Sequence, residues 1–165
     1  MQNNFYENVY ACNKSRNEYR HGSNGYCAAE SVPVNEIEGH VRSVALIGFT
    51  ARQILNEKPS RCMINVADFG IWNRYPKLFA NAVICGITGG YYQYNKEGED
   101  IDYLETAESM GIMFRIEKKY FPMAQECSVN IMMSGSSGRE LDIIGTSLGH
   151  GAITIPSCIL HENII

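Results

Sequence analysis

The spacing of apolar residues divides the chain into a helical first half and a strand-rich second half. One set of apolar residues recurs every three or four positions: Val41, Val44, Ala45, Gly48, Ala51 and Leu55. This period is typical of an amphipathic helix and predicts one over roughly residues 39–56. Proline is favoured in a first helical turn, so a second helix is predicted to begin at Pro76. Its stripe of small residues, including Cys85 and Gly86, predicts close packing against a neighbouring helix.

From residue 112 onward the period becomes two, which is typical of strands with one buried face. Ile112, Phe114 and Ile116 alternate with more polar residues, and so do Val129 and Ile131. An earlier strand is predicted over residues 61–67. The segment 135–138, Gly-Ser-Ser-Gly, predicts a hairpin turn. The last strand is expected to end at Pro156, because proline lacks the amide proton of a sheet ladder.

This order of elements predicts an α+β fold: a two-layer sandwich of a mostly antiparallel sheet with helices on one face. Residues 1–36 are rich in Asn, Tyr, Ser and Gly and show little periodicity, so we interpret them as an irregular N-terminal arm. Residues 37–165 form the predicted domain. A helix that begins at Asp102, with Glu105 three residues on, has the pattern of a capping box, and Gly111 suits its C-terminal end.

Composition and charge narrow the classes of function. The chain has 165 residues, 45% of them hydrophobic and 19% charged, with a formal net charge of −4. Nucleic-acid binding requires a basic surface, which this balance does not favour. No apolar run approaches the ~18 residues of a membrane span, and the N-terminus lacks the pattern of a signal peptide. The expected location is therefore the cytoplasm.

Six cysteines occur without a C-x-x-C pair: Cys12, Cys27, Cys62, Cys85, Cys127 and Cys158. Zinc and cluster sites usually take two ligands from one tight turn, so no metal site is predicted on this chain. Free thiols, several of them in the core, are the main interpretation. A link between Cys12 and Cys27, or a ligand supplied to a partner's cluster, is the alternative.

The segment 145–151, Gly-Thr-Ser-Leu-Gly-His-Gly, is the most distinctive motif. It contains G-x-S-x-G, the pattern that places a nucleophilic serine on a strand-to-helix turn in hydrolases. Here a strand follows, so Ser147 is not expected to act as a nucleophile. The glycines instead predict either close backbone packing or a small nest of N–H groups that binds an anion.

Over residues 38–157 the order of elements and this motif resemble the β subunit, or β domain, of the iron–sulfur-dependent L-serine dehydratases. That domain is itself similar to the allosteric substrate-binding domain of some phosphoglycerate dehydrogenases. The family has a G-S-S-x-G-G-G crossing where this chain has residues 145–151. It also has a polar S-S-H-T-x-G turn, which aligns with residues 38–43, and His40 is the residue retained there.

The resemblance implies a lyase subunit that acts on a small amino acid or carboxylate, with the iron–sulfur cluster on an α-type partner chain. It implies His40 as a catalytic residue, and His40 is placed at a helix start, where the dipole favours a neutral imidazole. His150 is the second candidate catalytic residue, because it interrupts the glycine run and is expected to reach the same cleft as His40. The residues expected to bind the substrate are Arg42, Ser43, Lys77, Thr146, Ser147 and Gly149. Of these, Arg42 and Lys77 would bind the carboxylate.

A homo-oligomer is also expected, because a sheet covered by helices on one face has an open face or edge that a second copy can cover.

Two other functions fit the same residues. The domain is either a stand-alone, metal-free enzyme that uses histidine acid–base catalysis on a small polar substrate, or a non-catalytic amino-acid-binding domain. Convergence of His40 and His150 on one pocket is the structural observation on which all three depend.

Overall fold

The computed structural model describes residues 34–67, 70–89 and 103–162. The described chain contains four helices and five strands, in the order α1 (Val34–Leu55), β1 (Pro59–Val66), α2 (Ile71–Arg74), α3 (Pro76–Ile87), α4 (Tyr103–Ser109), β2 (Met113–Lys118), β3 (Ser128–Gly135), β4 (Glu140–Gly149) and β5 (Ala152–His161). The five strands form one sheet. The predicted α+β class is confirmed.

The sheet is mostly antiparallel, with strand order β2-β1-β3-β4-β5. β1 and β2 are the parallel pair, and the segment between them carries α2, α3 and α4. β3, β4 and β5 follow as antiparallel neighbours. The 135–138 turn joins β3 to β4, with the Gly135 amide donating to the Arg139 carbonyl at 2.9 Å. The predicted hairpin is therefore confirmed.

The core lies between α1, α3 and one face of the sheet. Alternate strand residues, among them Ile64, Ile131 and Ile143, point into it and are fully buried. From the helices, Ile47 and Phe79 are equally buried. The period-two pattern of the sequence identifies Ile131 and Ile143, because it marks the strand face that packs inward. Ile47 and Phe79 lie outside the stripes from which the two helices were predicted.

α1 and α3 approach each other at glycines. A Cβ atom at Gly86 would meet the backbone of Ala45 and Phe49, and one at Gly48 would meet the backbone of Val83. The close approach predicted from the small-residue stripe is confirmed, and it leaves no room for a methyl group at the crossing.

Several element boundaries differ from the prediction. β1 covers Pro59–Val66, whereas residues 61–67 were predicted. α1 begins at Val34 and so includes the last residues of the predicted arm. β5 continues through Pro156 to His161. Proline is tolerated there because β5 is an edge strand and because Ile155 and Pro156 lie at a bulge opposite Gly145, between the paired residues on either side.

The predicted C-terminal glycine of α4 is confirmed. Gly111 has φ +83°, and the Ile112 amide donates to the Ala107 carbonyl at 3.0 Å, as in a Schellman motif.

Asp102, the predicted cap, lies outside the described residues, as do residues 1–33 of the predicted arm. Within the described segments, no helix has the length and apolar character needed to cross a membrane.

Candidate functional site

His40 and Ser147 form a direct contact between α1 and β4. The His40 Nδ1 atom lies 2.7 Å from the Ser147 Oγ atom. Ser147 is buried and His40 is half-buried. The Ser147 hydroxyl also accepts a hydrogen bond from the Gly149 amide at 3.1 Å. The helix and the glycine-rich segment therefore meet in space.

The hydrogen-bond pattern indicates which nitrogen of His40 carries the proton. Among the described residues, His40 Nδ1 is the one acceptor that contacts the Ser147 hydroxyl. The direction of this hydrogen bond depends on the tautomer of His40. We assign the hydroxyl proton to Nδ1 because the buried hydroxyl has no other acceptor in the described part of the chain, and a neutral imidazole then carries its own proton on Nε2. Ser147 thus fixes the His40 ring and leaves the Nε2–H group available to a ligand.

The turn after β4 has an unusual backbone conformation and places His150 beside Gly39 of α1. Gly149, His150 and Gly151 have φ values of +88°, +54° and +81°. Glycine adopts this left-handed region readily, whereas histidine is rare there. The Gly151 amide donates to the Gly39 carbonyl at 3.3 Å, and a Cβ atom at Gly39 would lie 2.5 Å from the His150 amide nitrogen. Gly39 therefore allows α1 to pack against the turn.

The electrostatics favour a neutral His40. Burial lowers the pKa of His40 below its ordinary value of 6.5, and the nearby charge of His150 lowers it further. The helix dipole contributes less to the His40 pKa than the sequence predicted. α1 begins at Val34, so His40 lies in the second helical turn, beyond the first turn where the dipole acts strongly.

The lowered pKa of His40 predicts that stability falls at acid pH. The unfolded state has a pKa near 6.5 and binds the proton first as pH falls, so it gains free energy relative to the folded state. The stabilisation is fully present above about pH 6.5 and is lost as pH falls towards the lower folded pKa. Urea unfolding at about pH 7.5 and pH 5 is the measurement. Wild type should lose more stability between these values than His40→Asn, and equal losses would contradict the prediction.

Two of the predicted substrate-binding residues are occupied within α1. Arg42 is exposed and forms an ion pair with Glu38 at 2.6 Å. The Ser43 side chain is buried, and its hydroxyl donates to the Gly39 carbonyl at 3.0 Å. Neither side chain joins His40 and Ser147, because both are used within the helix.

Thr146 and Lys77 are placed elsewhere. Successive residues of a strand point to opposite faces, so Ser147 faces α1, while the Thr146 hydroxyl pairs with that of Ser128 at 2.8 Å on the other face. Lys77 is exposed in the first turn of α3, in a depression beside Val66 and Glu117 on the parallel strands. β1 is two strands from β4. Of the predicted set, His40, Ser147, Gly149 and His150 come together.

The buried thiols are unsuited to nucleophilic chemistry. Burial raises the pKa of Cys127 to about 12, with Glu126 adding to the effect. Burial also raises the pKa of Cys62 to about 12, although Arg52 opposes it. Both thiols therefore remain protonated at neutral pH, whereas a thiol reacts as its thiolate. In the described part of the chain, Cys62, Cys85, Cys127 and Cys158 form no disulfide bond, as the thiol interpretation expects.

Sequence reasoning missed Gly39 and the direct His40–Ser147 bond. The bond joins residues 107 positions apart, and no local pattern reports such a pair. Gly39 carried a usable signal, since a glycine within a helical pattern often marks a close backbone approach. Among the described residues, no group of three His, Cys, Asp or Glu side chains is arranged to hold a metal ion.

Comparison with known proteins does not assign the chain to a family. No family model matches the sequence, and no curated protein matches it at a significant level.

Proposed function

We propose that this chain is the β-type subunit of a lyase that acts on a small amino acid, with His40 at the substrate site. The contact between His40 and Ser147 at 2.7 Å supports this most strongly. It joins the two segments through which the sequence resembles the serine dehydratase β domain. It also gives the retained histidine a fixed orientation beside a second histidine.

In this proposal His40 has the role of hydrogen-bond donor and proton-transfer group. Its lowered pKa keeps the imidazole neutral near pH 7, so Nε2–H can donate to a substrate carboxylate or leaving oxygen. A neutral imidazole can also accept a proton at a later stage. Ser147 acts as a positioning residue, because its Oγ atom is engaged by His40 and by the Gly149 amide.

His150 is assigned the role of a second donor to the substrate. Its side chain is exposed, and its charge acts on His40. A bound carboxylate between the two imidazoles would be attracted by any positive charge on His150. The left-handed turn holds His150 in place against Gly39 of α1.

The iron–sulfur cluster of such a lyase would supply Lewis-acid chemistry on an α-type partner. The described residues of this chain do not fit a cluster: no three candidate ligands converge, and Cys62 and Cys127 are buried as protonated thiols. We therefore assign no catalytic step on this chain to the cluster. In this proposal the enzyme works in the cytoplasm, where unpaired cysteines are usual, and the subunit forms a homo-oligomer.

A stand-alone, metal-free enzyme is the second candidate. The lowered pKa of His40 favours it, since a neutral imidazole provides acid–base catalysis without a metal. In that case the isolated chain, in the presence of a chelator, should turn over a small polar substrate.

Purification of the full chain from its native cells without oxygen, followed by a pyruvate assay with L-serine, tests the proposal. We expect a brown complex with a cysteine-rich second chain that forms pyruvate. Turnover by the isolated chain in chelator would favour the second candidate. Thermal stabilisation by L-serine without turnover would indicate a non-catalytic binding domain. A colourless protein that neither binds nor converts small amino acids contradicts all three.

A further inference from the structure

The sheet face opposite α1 and α3 exposes a patch of large apolar side chains. Met113, Met132 and Ile159 are 64%, 43% and 49% exposed on this face. The strand register places them in two neighbouring rows across all five strands. The first row is Met113, Arg61, Ser134, Glu140 and His161, and the second is Arg115, Met63, Met132, Asp142 and Ile159. We refer to these ten residues as the open face.

Charge on the open face is divided by the central strand. β3 is the middle strand, with β1 and β2 on one side and β4 and β5 on the other. The arginines Arg61 and Arg115 lie on the first side, and the carboxylates Glu140 and Asp142 lie on the second. Met132 on β3 separates them. A face of this kind is complementary to a second copy of itself.

The ion pairs formed within one chain also favour a second copy of the chain as the partner. Arg115 already forms an ion pair with Glu117 at 2.8 Å, and the Asp142 carboxylate accepts a hydrogen bond from the side-chain Nδ2 of Asn130 at 2.8 Å. In the described part of the chain, Arg61 and Glu140 have no ion-pair partner. The two charges left unpaired are in the same row, on opposite sides of β3.

We propose that the chain forms a twofold-symmetric homodimer through its open face, with the axis parallel to β3 near Met132. This axis places β1 of one copy over β4 of the other. Arg61 then faces Glu140 of the partner subunit, and this contact occurs twice because the interface is isologous. A twofold axis across the strands would instead place β1 and β2 over the partner's β1 and β2, so that the arginine-bearing strands face each other and the carboxylate-bearing β4 faces the partner's β4; like charges exclude this arrangement.

The size of the open face sets the expected affinity. It contributes ten residues per copy, whereas a standard stable interface uses about 20–30 residues a side. The dimer should therefore be weak, with a dissociation constant on the order of micromolar. Because exposed charge pairs are screened by salt, the dissociation constant should rise with ionic strength.

Sedimentation equilibrium of the full chain with charge-reversal variants tests the proposal. Arg61→Glu and Glu140→Arg should each raise the dissociation constant about tenfold or more, because each creates two like-charge contacts per dimer. The double variant R61E/E140R restores opposite charges and should return the constant to within about threefold of wild type. Lys119→Glu, beyond the opposite end of β2, is the matched control and should have little effect.

Three outcomes would overturn the proposal: a wild type that is monomeric at all accessible concentrations, a dimer unaffected by either single reversal, or a double variant that stays dissociated. The proposal specifies the interface of the homo-oligomer in the proposed function. The test reads only the oligomeric state, so its result is independent of the proposed lyase activity.

Discussion

Replacement of His40 by asparagine should, under the proposed lyase function, lower the serine-deaminating turnover of the complex by about 100-fold or more, the usual range for a lost acid–base group. Asparagine can place an oxygen near the position of Nδ1 and accept the Ser147 hydroxyl proton, as the imidazole does at 2.7 Å. It cannot present the Nε2–H group or exchange a proton. Turnover should therefore fall while thermal stability stays close to that of wild type.

His40→Ala provides the matched comparison. Alanine removes both the Nε2–H group and the acceptor for the buried Ser147 hydroxyl. An unsatisfied buried polar group costs about 1–3 kcal/mol, so this variant should lose both turnover and stability. Turnover at the wild-type level in both variants would remove His40 from the mechanism. Equal stability losses in both would show that asparagine does not replace the Ser147 contact.

Gly86→Ala should destabilise the protein by about 2 kcal/mol or more, although alanine is the better helix former. A Cβ atom at Gly86 would meet the backbone of Ala45 and lie 2.8 Å from the Phe49 amide nitrogen. Backbone atoms cannot move aside as a flexible side chain can, so α1 and α3 must separate. For a chain of this length the melting temperature should fall by about 4–8 °C, measured by calorimetry and by urea unfolding.

Gly89→Ala is a suitable control for the contact between α1 and α3 at Gly86. Gly89 also has a positive φ, +86°, but a Cβ atom there would meet nothing within 4 Å. Its replacement costs only backbone strain, about 1–2 kcal/mol. Gln53→Ala, at an exposed position of α1, reports the effect of helix propensity alone. A Gly86→Ala variant as stable as Gln53→Ala would show that the helix backbones are not in contact.

The position of His40 depends on how α1 packs against the 149–151 turn. His40 is brought to Ser147 because Gly39 allows α1 to contact the 149–151 turn. A side chain at Gly39 would push the helix away from that turn. The same contact buries His40 enough to lower its pKa, so the electrostatic property follows from the helix position.

Local elements were predictable from the sequence because their causes are local. The spacing of Val41 and Leu55 reports a buried helical face, and Gly111 reports a helix end. The 135–138 turn and the strands on either side follow from glycine conformation and the period of two. These features depend on residues a few positions apart.

By itself the sequence determined the fold class, the strand-rich second half and the helix crossing at small residues, and it singled out His40 and the 145–151 segment as candidates for a site. Only the tertiary structure decided that Ser147 contacts His40 while Thr146 points to the opposite face. It alone placed Lys77 of α3 beside β1 and β2, away from β4, and showed that β5 continues through Pro156. The reason is physical: register, bulges and contacts between residues 107 positions apart arise from packing of the whole chain, which no local pattern encodes.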